Sequence, residues 1–179
     1  MMKLKALAQF APETGDRHDL PEMDALTESD ALQEAQLLAV ELDALAGSVS
    51  ILLDLRVSLH FGAVDTAMIV ARGVRGFHWN CPGRQPGLTA WSIGSSEVRN
   101  DPNGFRMSLS MWPSPGAQLE FVAASAEFLV GKVEGLSEAP PDFAEGDTAL
   151  VRAGVPHWDS MFDLVAWSSI GQLPPGRPA

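Results

Sequence analysis

Three groups of side chains in this sequence are of types that can do chemistry. Asp54 and Arg56 lie on one stretch of alternating apolar residues, and Arg72, Arg75 and His78 lie on the next. Such a set either pairs across a hairpin or presents guanidinium forks to a carboxylate or phosphate in a small pocket. An exposed Asp54–Arg72 pair would be worth only about 0.2–1 kcal/mol, and no glycine-rich phosphate loop accompanies the arginines. The second group, Asp142, Phe143, Glu145 and Asp147, mixes acids with an aromatic ring. It reads either as a solvated loop or, with Trp158 as an anchor, as a contact for a partner protein. Its spacing does not match the helix-flanked calcium loop. The third group, His78, Trp79 and Cys81, contains the only cysteine. Zinc needs about four ligands, and neither a second cysteine nor an HExxH helix is present. A Cys81 nucleophile would need a base beside it, which spacing alone does not supply. No catalytic residue, metal site or cofactor is therefore assigned.

The charge balance narrows the classes of partner. The chain of 179 residues carries a formal charge of −11. Residues 1–48 hold three basic against ten acidic groups, 49–131 six against six, and 132–179 three against seven. An acidic surface repels phosphate backbones and steers a basic protein inward, so nucleic acid is not an expected partner and a basic protein is. A lone cysteine points to a reducing, cytoplasmic setting. Gln9 and Pro12 interrupt the apolar run after Lys3 and Lys5 before it reaches signal-peptide length, and no run is long enough to span a membrane.

These groups need a scaffold, and the periodicity predicts an α+β fold: mainly an antiparallel meander or sandwich, with an N-terminal amphipathic helix packed on it. Residues 1–26, broken by Pro12, Gly15 and Pro21, read as a flexible acidic lead-in; 27–170 as a single globular domain; 171–179 as a disordered tail. Thr27 or Ser29 caps the helix, which carries Leu32, Ala35, Leu38, Leu42 and Leu45 at helical spacing and stops at Gly47. From Val49 the period changes to two, through Ile51, Leu53, Leu55, Val57 and Leu59 to Phe61, with the opposite face expected to meet solvent or a polar groove. A hairpin partner follows at Thr66–Trp79. Further strands are expected at 88–93, 105–111, 118–123 and 127–133. Asp147 caps a brief helix ended by Gly154 and Pro156, and a segment from Trp158 to Ile170 returns to the sheet. The five tryptophans read as core or strand-end residues before stacking platforms.

The stretches LLDLRVSLHF and TAMIVARGVRGFHW, with APPDF and RAGVPHW, resemble a group of small actinobacterial β-rich proteins over roughly residues 49–165. That resemblance implies no activity. More loosely, an acidic chain with a small β-meander is similar to bacterial toxin-immunity proteins. The sequence thus favours a non-catalytic cytoplasmic protein-binding module, an immunity-type inhibitor of a basic partner. The alternative is a small-molecule-binding protein or modest enzyme with a pocket between helix and sheet.

Overall fold

Alternating apolar residues at 105–111 and 118–123 and near-continuous apolar runs at 49–55, 67–71 and 126–130 build most of this molecule. A computed structural model describes residues 1–9, 23–83, 90–112, 116–144 and 147–171. Chain order is β1 (Met2–Lys3), α1 (Leu4–Leu7), β2 (Gln36–Asp43), β3 (Ser48–Asp54), β4 (Thr66–Arg72), β5 (Gly76–Asn80), β6 (Trp91–Asp101), β7 (Gly104–Trp112), β8 (Gln118–Ala123), β9 (Ser125–Val133), α2 (Thr148–Ala153) and β10 (Met161–Gly171). The ten described strands form one antiparallel sheet in the order β1-β10-β9-β4-β3-β2-β6-β7-β8-β5. Ile51 and Ile69 on one half and Met107 and Phe121 on the other share a single core, so the sheet curls over itself. Edge-to-face contacts of Phe61 with Phe128 and of Phe105 with Phe121, at 5.7 and 5.9 Å between ring centres, fix its packing.

The expected N-terminal amphipathic helix is not there. Residues 25–34 form consecutive turns and Gln36–Asp43 is a strand. Asp30 and Glu34 take positive φ values of 61° and 67°, which an α-helix cannot contain. Contacts with β6 hold them there: Asp30 N–H donates to the Ser96 carbonyl, Glu34 N–H to that of Ile93, and Leu32 N–H to the Ser96 hydroxyl. Leu32 and Ala35 are buried as the helical spacing demands, but Leu42 and Leu45 at the end of that stripe face solvent. Tertiary hydrogen bonding overrides a modest local helix preference.

The first hairpin forms, with Ile51 opposite Ile69 and Asp54 opposite Thr66. It is shorter than the alternation suggests, because β3 ends at Asp54 and leaves Val57 and Leu59 exposed. The face expected to meet solvent or a groove is covered as well. Ser50, Leu52 and Asp54 are buried, and Leu52 packs in a second core with Leu4, Leu7, Phe162 and Trp167. Leu4 and Leu7 belong to the expected lead-in, of which residues 10–22 lie outside the described residues; most of the expected tail, 172–179, does too.

The run Thr66–Trp79 divides at Gly73, where φ is +61°. A Cβ there would stand 2.9 Å from that of Ala124, so glycine suits both the backbone and the space. Val74 N–H donates to the Gly47 carbonyl and Arg75 N–H to that of Val122, carrying the chain to the opposite end of the sheet, where β5 pairs with β8. β7, β8 and β9 occur close to their expected positions; of the strand expected at 88–93, residues 88 and 89 lie outside the described residues and 91–93 open the longer β6, which runs on to Asp101; α2 begins at its expected cap, and β10 supplies the return to the sheet.

Candidate functional site

The hairpin arginines do not converge. Arg56 turns back on Asp54, with Nη2 2.6 Å from Oδ2 and Nε 3.0 Å from Oδ1. Its remaining donors reach the carbonyls of Ser137, Ala139 and Gly154 at 3.0, 3.3 and 2.8 Å. A guanidinium so engaged ties the end of β3 to the loop before α2 and to the C-cap of α2, leaving it no fork for an anion. Arg72 sits at the other end of the hairpin, opposite Ser48 and Ser125, so the cross-strand Asp54–Arg72 pair does not form. Its Nε is 3.3 Å from Glu127 Oε1 and its Nη1 donates to the Ala8 carbonyl. Arg75, His78 and Cys81 lie exposed on or beside β5, beyond the crossing at Gly73. The expected pocket of Asp54, Arg56, Arg72, Arg75 and His78 is thus dispersed: the hairpin register sets Arg72 at the far end from Asp54, and the crossing at Gly73 carries Arg75 and His78 to the edge where β5 pairs with β8.

Glu127 is 1% exposed, and its Oε2 has no hydrogen-bond partner among the described residues. Burial pushes its carboxyl above the ordinary glutamate range, only partly opposed by Arg72. On the surface, hydrogen bonds from Lys5 and Lys3 hold the Asp159 carboxyl below its usual range and pin β1 beside β10.

Several of the acids that made the sequence look like a docking surface accept backbone hydrogen bonds at turns and caps while staying at the surface. Asp43 accepts from the amides of Leu45 and Ala46, Asp65 from that of Val133, and Asp30 from that of Ser96. Asp142 accepts from Ala144 N–H, and Asp147 caps α2 through Ala149 and Leu150 N–H. These are turn and cap uses of short carboxylates. Glu145 lies outside the described residues.

Phe143 and Trp158 do come together. They wall a cleft of about 610 Å3 between α2 and the outer face of β2 and β3, floored by Leu38, Ala39 and Leu52. Thr148, Val151 and Arg152 stand at i, i+3 and i+4 on α2, so one helix face supplies its far side. Val155 and His157 follow on the return to β10. The opening has a cause in β2. Leu37 pairs with Leu53 and Ala39 with Leu52, so Leu38 is an extra, bulged residue, and the pairing of β2 with β6 stops at Leu37–Trp91. A bulge bends its strand and re-aims a side chain.

Its size suits a small ligand, the volume falling in the usual range of about 300–1,000 Å3, and its lining mixes apolar side chains with the polar heads of Thr148, Arg152 and His157. Among the described residues no three His, Cys, Asp or Glu side chains are grouped to hold a metal ion. Sequence reasoning named Phe143 and Trp158 but missed Arg152 and the bulge. The spacing of Thr148, Val151 and Arg152 behind the Asp147 cap was the available signal for α2's inner face. No helix of the described residues is long and apolar enough to cross a membrane. No family model, curated protein or solved structure was found to match the chain.

Proposed function

We propose that this chain is a non-catalytic small-molecule-binding protein, acting in the cytoplasm, whose ligand enters between α2 and the outer face of β2 and β3. The cleft walled by Phe143 and Trp158 carries this reading, because it unites apolar floor, aromatic walls and a few polar heads in one place. The dispersal of Asp54, Arg72 and His78 supports binding over turnover, since these three share no site. Ligand-observed NMR screening of a fragment library tests it, using the wild type and Thr148→Trp, which fills the cleft from an exposed helical position. Fragments that bind the wild type and not the variant are expected. An absence of binders, or binding that ignores the substitution, overturns the reading.

The net charge of −11 favours a second reading, an immunity-type inhibitor that offers the 142–147 loop and Trp158 to a basic protein. It requires a stoichiometric basic partner that is released at high salt and lost when Asp142, Glu145 and Asp147 are neutralised together.

A further inference from the structure

The floor of the cleft and its wall are fastened in different ways. Leu38, Ala39 and Leu52, on the floor, sit in the ladder of β2 and β3. The wall comes from Phe143 and the run from Thr148 to Trp158, and no described residue between 137 and 156 belongs to a strand. α2 is short, Val151 is its one buried side chain, and its N-terminal amides are capped by its own Asp147. Among the described residues, the hydrogen bonds that tie 137–156 to the sheet come from one side chain. Arg56 donates from Nη1 to the carbonyls of Ser137 and Ala139, and from Nη2 to that of Gly154 at 2.8 Å, within the lining run itself. Gly154 is packed there too, since a Cβ on it would stand 3.4 Å from two side-chain carbons of Pro141.

The other end of this tie lies on the floor's own strand. Arg56 is held by Asp54, and Asp54 and Leu52, two apart on β3, point to the same side of the sheet. The buried pair therefore joins the wall to the strand that carries the floor, although Arg56 itself does not line the cleft. A planar guanidinium engaged at both ends holds one orientation. Resting on the reading of this cleft as a ligand site, we propose that Arg56 is its positioning residue: it sets the spacing of wall and floor, and so governs affinity at a site it does not touch. A wall held at one spacing presents a formed site. A released wall must be ordered by whatever binds, and that cost is subtracted from affinity.

Arg56→Lys tests this. It keeps a positive charge beside Asp54 but gathers its donors on one nitrogen, which cannot meet Asp54, Gly154 and the 137–139 carbonyls together. The full chain is followed by amide hydrogen exchange and by titration with 8-anilinonaphthalene-1-sulfonate, whose cleft-bound component is the part that Thr148→Trp removes. Protection across 150–155 is expected to fall about tenfold or more with β7 and β8 unchanged, and the cleft-bound component to weaken about tenfold or more. An arginine that only stabilises the fold would lower protection throughout the sheet and leave the affinity of the folded protein where it was; that pattern overturns the proposal. Unchanged protection in α2, or a loosened α2 that binds the dye as well as before, also overturns it, and in both cases the cleft reading stands. If fragments bind the cleft and the dye does not, the tightest fragment replaces the dye in the titration. If Thr148→Trp removes no dye binding and the fragment screen finds no ligand, the cleft reading falls and this proposal falls with it.

Discussion

Arg56 and Asp54, two residues apart, form an ion pair whose side chains are 3% and 0% exposed. The Arg56 amide also donates to Asp54 Oδ1, so one carboxylate both ends β3 and holds the arginine. Both charges are out of water, and every other arm of the guanidinium reaches a carbonyl outside β3. Removing one partner leaves an uncompensated buried charge. Arg56→Met should therefore lower stability by about 3–5 kcal/mol, measured from the midpoint of urea unfolding. It should also loosen the 137–139 loop and α2, seen as faster amide exchange there. A loss within that of an ordinary surface substitution would show that the pair is not structural.

Glu127 gives the stability curve a pH dependence of definite sign. Its native pKa is raised, mainly by burial, so the folded state holds the proton more tightly than the unfolded state does. On this account stability is greatest below the unfolded-state pKa, about 4.3, and declines as pH rises until the native carboxyl has ionised. Glu127→Gln keeps an oxygen for Arg72 and removes the titration. The stability of the variant relative to wild type should thus improve from about pH 4 to pH 8, read from paired denaturation series. A difference that stays flat would remove Glu127 as the source.

How far the sequence foretold this depended on whether the deciding contact was local. Phe105, Met107, Leu109 and Met111 alternate without interruption, and β7 buries all four. Asp147 lies directly before α2 and caps it, as its position suggests. The helix expected after Thr27 failed because its conformation is set by Ser96 and Ile93, more than fifty residues away, which no periodicity reports. The site was half legible for the same reason. Phe143 and Trp158 are marked by their types, whereas the cleft depends on a bulge at Leu38 that exists only in the pairing of β2 with β3.

Gly73 makes the crossing that sends β5 to the far edge. A side chain there would meet both a left-handed backbone and Ala124 at 2.9 Å. Gly73→Ala should cost about 1–2 kcal/mol for the backbone alone, with more if Ala124 cannot yield. Gly62→Ala is the control, since a Cβ there meets nothing within 4 Å and φ lies outside the strained range. Thermal unfolding of the two variants compares them directly. Equal melting temperatures would mean that the turn at Gly73 relaxes freely.

Asp159 tests how the N-terminal segment is fastened over the second core. Lys5 Nζ stands 2.5 Å and Lys3 Nζ 3.4 Å from the same Asp159 oxygen, while the amides of Leu4 and Lys5 donate to the carbonyls of Ser160 and Trp158. The ion pairs are exposed and the backbone bonds are not electrostatically selective, so salt and acid should loosen only part of the attachment. The Asp159 pKa is lowered in the folded state; its contribution is therefore present above the unfolded-state value and lost as pH falls through the folded one. Asp159→Asn should speed amide exchange at Lys3 and Leu4 at neutral pH and leave the β3–β4 hairpin unchanged. In the wild type, acidification should lower the protection of the same amides relative to their intrinsic exchange rate at each pH, and added salt should lower it less. Exchange that rises equally throughout the sheet would instead make Asp159 part of global stability, and Leu4 and Leu7 would then be held by burial alone.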